Sequence, residues 1–232
     1  MKFLCVKVGT KYPAVTVNHL YNKICGYYSG EVDFYCLTDN SDKLFDSITP
    51  IYIDPKDRWK KLQWHKTTFF RKKFNGFDNG EEVIVCDIDM DVISNIDELV
   101  DYPVKKFAAS RRWWMLDHGQ LSGSWYKFRV GEHYYVDSEL DEGWQEYWVH
   151  NKLVEPPVNG EQNWVERCIK NIEYFPDTWF TKWTNNDERN KKIEEDFHSL
   201  TGEMLTVEGE FHNDIKIIHN AGYGIINNNI KN

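Results

Sequence analysis

Three aspartates at alternate positions follow an apolar run in the first half of the chain. The run covers residues 83–86, and the aspartates are Asp87, Asp89 and Asp91. Alternate residues of an extended strand share one face, and three like charges on one face of a core strand would repel each other. Divalent cations such as Mg²⁺ or Mn²⁺ prefer carboxylate oxygens. We therefore interpret Asp87 and Asp89 as ligands of such a cation.

Other interpretations of this acidic segment were compared with the metal site. Asp91 either supports the ligands or caps the following turn. A calcium-binding EF-hand loop needs glycine at its sixth position, which is Val92 when counted from Asp87. A phosphatase of the haloacid dehalogenase type normally has Thr or Val two residues after its second aspartate, where this chain has Asp91. That phosphatase type stays as the minor alternative.

The elements that must position these carboxylates alternate between strand and helix patterns. We predict strands over residues 2–8, 33–39, 51–53, 81–89, 104–109 and 215–219, and helices over residues 13–24, 58–74, 161–172 and 186–198. Alternation with short connections predicts an α/β fold, with a mostly parallel sheet flanked by helices. Ligands of such sheets bind beyond the carboxyl ends of the strands. Thr38 and Asp39 should therefore share a crevice with Asp87 and Asp89.

Composition excludes several classes of partner. The chain has 232 residues, which suits a single domain, and its net charge of −9 argues against binding to nucleic acid or an anionic membrane. No apolar run approaches the roughly 20 residues of a membrane span. Cys5, Cys36 and Cys86 lie in apolar, strand-like runs, which predicts buried free thiols in a reducing compartment. We therefore expect a cytoplasmic protein without a membrane anchor.

The order of the motifs resembles that of a GT-A glycosyltransferase with an Asp-x-Asp motif. The matching segments are residues 7–12 and 17–21 (first strand and helix), 34–39 (second strand), 64–66 (Trp-x-Lys) and 85–89 (Asp-x-Asp). The resemblance implies a Rossmann-like single domain. Its donor-binding half would be residues 1–110, and its acceptor half residues 111–232. The compact chain is similar to small phage-encoded members, which implies a location in the host cytoplasm.

Further similarities lie in the second half. Residues 121–124 stand where many members have Asn-Ser/Thr-Gly, but the asparagine is missing. Residues 160–162 (Gly-Glu-Gln) resemble a Gly-Asp-Gln element that lines the sugar and acceptor cleft. His219 resembles the third metal ligand of the family 8 type. The chain departs from that type after His219, because the usual glycine and lysine are not in place and the next lysine is Lys231.

This resemblance also implies roles for individual residues. The metal ligands would be Asp87, Asp89 and His219, with Mn²⁺ or Mg²⁺ as the ion. The residues that contact the donor, most often a UDP-sugar, would be Val8, Gly9, Thr10, Tyr12, Asp39, Lys66, Asp87, Ile88 and Asp89. The catalytic candidates would be Glu161, Gln162 and Lys66. Lys60 is a second candidate cation for the phosphates.

The implied reaction transfers a sugar to a hydroxyl group of a glycan or another acceptor. Departure of the nucleoside diphosphate builds charge on the β-phosphate, and a divalent ion bridging the phosphates stabilises that charge. If the reaction inverts the anomeric centre, Glu161 is a candidate base for the acceptor hydroxyl. If the reaction retains that configuration, no such base is required. Both outcomes stay open.

Two functions from other classes also stay open. A nucleotidyltransferase on a related fold would use the same carboxylates on an α-phosphate. A non-enzymatic glycan-binding module would use the aromatic side chains, which make up 16% of the chain. The tryptophans of the middle region would supply its surface: Trp113, Trp114, Trp125, Trp144 and Trp148.

Overall fold

A central sheet and a small second sheet organise the fold in a computed structural model, which describes residues 1–118, 120–140 and 160–220. The strands are β1 (Lys2–Lys7), β2 (Asp33–Thr38), β3 (Ile48–Tyr52), β4 (Glu82–Cys86), β5 (Met90–Val92), β6 (Phe107–Arg111), β7 (Leu121–Arg129), β8 (Glu173–Tyr174), β9 (Phe180–Lys182), β10 (Thr206–Val207), β11 (Glu210–Phe211) and β12 (Ile217–His219). Three residues named in the sequence analysis lie outside the described residues. They are Trp144 and Trp148 of the aromatic middle region, and Lys231.

The central sheet has seven strands in the order β3-β2-β1-β4-β7-β6-β8. All of these strands run in one direction except β7, which is antiparallel to its neighbours β4 and β6. The predicted α/β architecture with a mostly parallel sheet is therefore confirmed. The predicted fifth strand begins later than expected, because β6 covers Phe107–Arg111 rather than residues 104–109.

The second sheet has the order β5-β12-β9. β5 is antiparallel to β12, and β12 is parallel to β9. Only residues 87–89 separate β4 from β5. The predicted strand over residues 81–89 therefore ends earlier than expected, at Cys86, and its acidic segment is the connection through which the chain leaves the central sheet and enters the second one.

The helices are α1 (Ala14–Tyr27), α2 (Asp97–Val100), α3 (Glu161–Cys168) and α4 (Asp187–Thr201). Pro13 precedes the first turn of α1, where its missing N–H costs no helical hydrogen bond. The side chain of Asn186 caps α4 by accepting from the backbone N–H of Arg189, and Gly202 ends this helix at φ +80°. None of the helices in the described ranges is long and apolar enough to cross a membrane.

The predicted helix over residues 58–74 is wrong. Short 3₁₀ segments replace it, at Pro55–Asp57, Leu62–Phe70 and Phe74–Gly76. The hydroxyls of Thr67 and Thr68 donate to carbonyl groups three residues earlier, which competes with a regular α-helix. Residues 64–70 are also all buried, so packing against neighbours on several sides overrides the one-sided pattern of an amphipathic helix.

Both faces of the central sheet are covered by apolar side chains. Alternate residues of β1 enter different clusters, with Phe3 and Cys5 on one face and Leu4 on the other. The predicted burial of the three strand cysteines is confirmed, since Cys5, Cys36 and Cys86 are fully buried. This double-sided burial explains why β1 and β4 are nearly continuous apolar runs.

Candidate active site

The carboxylates of Asp87 and Asp89 and the imidazole of His219 meet at the carboxyl end of β4. One ligand atom from each lies within 4.8 Å of those from the other two. Two ligands on opposite sides of a Mg²⁺-sized ion lie roughly 4.2 Å apart, so a small closing movement would let all three bind one ion. Two carboxylates and an imidazole suit Mn²⁺ or a similar divalent cation. The arrangement is thus a candidate metal centre.

Strand pairing explains how a residue from the end of the described chain reaches this group. The backbone N–H of Asp87 donates to the carbonyl of Ser124 on β7 (2.9 Å), which extends the pairing of the central sheet. The carbonyl of Asp89 accepts from the N–H of Asn220 (2.9 Å), in the second sheet. In that sheet His219 is opposite Met90, and its Nε2 lies 3.5 Å from Asp89 Oδ1. The motif therefore spans the junction of the two sheets.

Lys66 is buried against the other carboxylate. Its Nζ lies 2.9 Å from Asp87 Oδ1, 2.8 Å from the carbonyl oxygen of Gly123 and 3.1 Å from Glu161 Oε2. An ammonium group has three N–H donors, so these three acceptors use all of them. Burial lowers the pKa of Lys66, but the charges of Asp87 and Glu161 outweigh burial and raise it overall. Lys66 therefore stays charged and fixes the position of Asp87.

Glu161 and Gln162 begin α3 and form the far wall of the cleft. Glu161 is buried between Lys66 and Tyr126, whose hydroxyl donates to Oε1 at 3.0 Å. Burial raises the pKa of Glu161, and the ion pair with Lys66 opposes that rise. The side-chain Oε1 of Gln162 accepts from the backbone N–H of Gly123 (3.0 Å), which fixes the orientation of its amide.

The cleft itself, of about 330 Å³, lies between the metal group and α3. Its walls bring together most of the residues that the sequence selects for the donor and the catalytic step: Val8, Tyr12, Lys66, Asp87, Ile88, Asp89, Glu161 and Gln162. Asp39 lies in an adjoining depression that shares Val8 with the main cleft. Its Oδ2 accepts from the N–H of Gly9 (2.9 Å), and Gly9 has a φ of +74° that favours glycine. Thr10 is exposed.

Comparison with known proteins agrees with this geometry. No protein-family model matches the chain, and no curated protein matches its sequence. Among solved structures, the galactosyltransferase LgtC in complex with donor and acceptor sugar analogs is similar with a TM-score of 0.61 and 11% identity, over 96% of this chain and 88% of that one. The glycosyltransferase GlyE of Streptococcus pneumoniae is similar with a TM-score of 0.55 and 11% identity, over 94% of this chain and 54% of that one. The bifunctional glycosyltransferase WbbM is similar with a TM-score of 0.57 and 12% identity, over 96% and 46%.

The chain has the GT-A fold. At these identities the likeness concerns the fold alone, and the neighbours named above are all glycosyltransferases. The Asp-x-Asp segment of this chain lies where β4 leaves the sheet of the GT-A fold.

Two residues that the sequence connects with the site have other partners within this GT-A fold. Asp91 neither caps a helix nor faces the metal group. Instead it pairs with His19 Nε2 (3.4 Å) and Lys23 Nζ (3.1 Å) of α1. Lys60 is buried and lies 2.5 Å from Asp137 and 3.4 Å from Asp57. Both side chains therefore form ion pairs between elements of the fold. The alternating pattern in the sequence could not distinguish Asp91 from Asp87 and Asp89.

The sequence selected Tyr12 for the donor and did not single out Tyr126, and it did not predict that the hydroxyls of both hold carboxylates of the cleft. The hydroxyl of Tyr12 donates to Asp89 Oδ2 (2.8 Å), a contact between residues 77 positions apart. Burial and the charge of Asp89 raise the pKa of Tyr12, so its hydroxyl stays protonated and remains a donor. Tyr126 has the same relation to Glu161. The described tryptophans of the middle region are largely core residues, since Trp125 is fully buried and Trp113 is 6% exposed.

Proposed function

We propose that the protein is a metal-dependent glycosyltransferase that moves a hexosyl group from a UDP-sugar to a hydroxyl of a glycan or another acceptor. The observation that carries the proposal is the convergence of Asp87, Asp89 and His219 beside a cleft in a GT-A fold. One neighbour of this fold is a galactosyltransferase that was solved with donor and acceptor sugar analogs. A nucleotide-sugar is therefore the ligand class that best fits the cleft.

The metal-binding residues are pre-positioned for this reaction. A Mn²⁺ or Mg²⁺ ion at Asp87, Asp89 and His219 would supply Lewis-acid stabilisation of the charge that develops on the leaving diphosphate. Lys66 holds one oxygen of Asp87, and Tyr12 holds one oxygen of Asp89. Each carboxylate therefore keeps its second oxygen in a defined direction. Hydrogen bonds that orient the ligands of a metal in this way raise the affinity of the site.

At the sugar end of the cleft, we assign different tasks to the neighbouring residues Glu161 and Gln162. Both oxygens of Glu161 are engaged, by Lys66 and Tyr126, so Glu161 positions Lys66 and is a poor candidate for the base of an inverting reaction. The side-chain oxygen of Gln162 accepts from the backbone N–H of Gly123. Its NH₂ group can therefore donate to the transferred sugar. One of the similar structures is an active-site mutant of LgtC in which a glutamine is replaced by glutamate. In this chain two glutamines line the cleft, Gln63 and Gln162, and Gln162 is the one beside Gly123.

A donor-hydrolysis screen tests the proposal. The protein is incubated with UDP-, GDP- and other nucleotide-sugars in Mn²⁺, in Mg²⁺ and in EDTA, and the released nucleoside diphosphate is measured. We expect release from a UDP-sugar with Mn²⁺ and none in EDTA. An absence of metal-dependent release from every donor would contradict the proposal.

The same preparation separates the two other functions. Release of pyrophosphate from a nucleoside triphosphate would indicate a nucleotidyltransferase. Binding to a glycan array without nucleotide or metal would indicate a sugar-binding module. We expect neither result, because the tryptophans Trp113 and Trp125 that such a module would expose are buried.

A further inference from the structure

Lys182, the last residue of β9, is a half-buried cation on the strand next to β12. Within the described ranges it has no ion-pair or hydrogen-bond partner. Burial of an unpaired ammonium group costs free energy, and the pKa of Lys182 is lowered by that burial and by the charge of Arg189, against the opposing charge of Asp89. A charged side chain that is kept in such a place indicates an anionic partner supplied from outside the chain.

Strand register directs Lys182 toward the candidate metal centre. β9 and β12 are parallel neighbours, and Lys182 is paired with His219. Paired residues of adjacent strands extend to the same face of a sheet. The His219 imidazole faces Asp89 at 3.5 Å, so Lys182 faces the metal group from the next strand. The electrostatic effect of Asp89 on Lys182 agrees with that placement.

Other lysines near the cleft already have partners. Lys66 donates to three acceptors, and Lys60 is paired with two aspartates. Lys7 donates to the carbonyl of Asn40 at 3.4 Å. Lys11 lines the cleft, but it is exposed and lies 4.7 Å from the centroid of the Tyr12 ring. Among the lysines near the cleft in the described ranges, Lys182 is therefore half-buried and left to meet a ligand.

We propose that Lys182 binds the diphosphate of the nucleotide-sugar donor from the β9 side of the metal group. This inference rests on the function proposed above and names a residue of the same site. A diphosphate beside Asp87 and Asp89 needs positive charge, because the whole chain has a net charge of −9. Hydrogen bonds between an ammonium group and phosphate oxygens are charge-assisted and short, and they discriminate a diphosphate from an uncharged nucleoside.

Calorimetric titration with UDP and with uridine, both in Mn²⁺, tests the inference. The variants are Lys182→Gln, Lys182→Arg and the matched control Lys191→Gln, which removes the same charge from an exposed position of α4. We expect Lys182→Gln to weaken UDP binding about tenfold, a loss typical of one charge-assisted hydrogen bond, and to leave uridine binding unchanged. Lys182→Arg keeps the charge and should retain most of the affinity. Lys191→Gln should behave as the wild type.

Each contrary result has a separate meaning. Unchanged UDP affinity in Lys182→Gln, or an equal loss for UDP and uridine, overturns the role of Lys182 and leaves the glycosyltransferase proposal in place. If the wild type binds neither UDP nor GDP in Mn²⁺, the proposed function itself fails. Thermal unfolding of each variant is the folding control. Lys182→Met is the second variant if Lys182→Gln does not fold.

Discussion

Two clusters of buried charge in this protein are built differently. The first, which we call the balanced network, comprises Asp57, Lys60, Arg71 and Asp137. Arg71 contacts both oxygens of Asp57 at 2.6 Å each, and it also contacts Asp137 at 2.5 Å. Lys60 contacts both aspartates. Among these four described residues, two cations therefore oppose two carboxylates.

The second cluster, which we call the cleft cluster, comprises Lys66, Asp87, Asp89, Glu161 and His219. Three carboxylates here oppose one ammonium group and one imidazole. Burial raises the pKa of Asp89, but its contacts with His219 and Tyr12 outweigh burial and lower that pKa below the usual range. Asp89 therefore stays ionised, and among the described residues of this cluster the carboxylates outnumber the cationic groups.

The difference between the clusters lies in charge balance and in access to solvent. The carboxylates of Asp57 and Asp137 are 4% and 3% exposed, whereas that of Asp87 is 26% exposed and lines the cleft. A balanced, enclosed network needs no ligand and stabilises the fold only through its geometry. Under the proposed function, the cleft cluster would be completed by a divalent cation from solution. This contrast distinguishes a structural ion-pair network from a candidate metal site.

The largest effect should come from removing charge in the cleft cluster. Asp89→Asn keeps the size of the side chain but removes the charge of a proposed metal ligand that Tyr12 and His219 contact. We expect metal-dependent donor hydrolysis to fall by at least about a hundredfold, because loss of a ligand weakens both metal binding and charge stabilisation. The measurement is nucleoside diphosphate release at increasing Mn²⁺ concentration.

The control for this change is Asp42→Asn, which removes one negative charge at an exposed position. It should keep wild-type turnover and wild-type Mn²⁺ dependence. Full activity in Asp89→Asn would contradict the assignment of the cleft cluster as the metal site, whereas equal losses in both variants would indicate an effect of net charge alone.

A change in the balanced network should reduce stability instead of activity. Asp137→Ala leaves Lys60 and Arg71 buried without one of their carboxylates, and it removes one of the two acceptors within reach of the Thr67 hydroxyl, at 2.8 Å. Breaking a buried ion pair from one side costs about 3–5 kcal/mol in free energy of unfolding. Urea unfolding of the metal-free protein measures that loss. Asp89→Asn should lose far less free energy of unfolding in the same experiment. A larger loss in Asp89→Asn than in Asp137→Ala would contradict the difference between the two clusters.

The sequence predicted the first half of the fold well because β1, β2 and β4 are buried on both faces. Such strands are continuous apolar runs, and their ends are visible where polar residues begin, as at Asp39 and Asp87. The α/β architecture with a mostly parallel sheet could therefore be predicted from the order of these runs, whereas the GT-A type followed from the resemblance of the motifs. Residues 58–74 could not be predicted correctly, since packing on several sides decides their conformation and leaves no single periodic stripe.

The site was predictable only as far as it is local in sequence. Asp87 and Asp89 are adjacent in the chain to the strand that positions them. The contact of Tyr12 with Asp89 and that of Tyr126 with Glu161 depend on how distant elements pack, and a tyrosine in a sequence has no pattern that names its partner. Asp91 was misleading for the same reason. It belongs to the alternating set of aspartates, but only the packing of α1 against β5 shows that it pairs with His19 and Lys23.

Acid should affect the balanced network by a smaller amount than the loss of Asp137. Burial raises the pKa of Asp57, but hydrogen bonds from Arg71 and the charge of Lys60 outweigh burial and lower that pKa overall. A lowered folded-state pKa gives stability that is present above the unfolded value of about 3.9 and is lost as pH falls through the folded value. We expect the free energy of unfolding to fall below about pH 4.

Replacing Asp57 tests the source of that acid sensitivity. Asp57→Asn removes the titrating group, so its free energy of unfolding should be lower at neutral pH and should change less steeply below about pH 4. Urea unfolding at a series of pH values, with Asp42→Asn as the exposed control, gives the two slopes. An unchanged slope in Asp57→Asn would assign the acid sensitivity to other carboxylates, such as Asp89 or Asp91, whose pKa values are also lowered.

The smallest effect should come from Gly123, which lies between Lys66 and the start of α3. A Cβ atom there would lie 3.2 Å from Gln162 Oε1 and 3.3 Å from Glu161 Oε2, close enough to displace both side chains slightly. We expect Gly123→Ala to lower the rate of donor hydrolysis about tenfold, because small misplacements in an active site are costly. Its free energy of unfolding should change by less than about 1 kcal/mol.

Gly26→Ala is the matched control, since a Cβ atom at Gly26 in α1 meets no atom within 4 Å. It should keep full activity and gain slightly in stability, because alanine favours a helix over glycine. If both alanine variants had equal activity, the close packing of Gly123 against Glu161 and Gln162 would be irrelevant to turnover. If Gly123→Ala alone loses activity at nearly constant stability, then the contacts of Gly123 with Glu161 and Gln162 matter for turnover but not for folding. The balanced network should show the opposite, because its contacts stabilise the fold and do not take part in turnover.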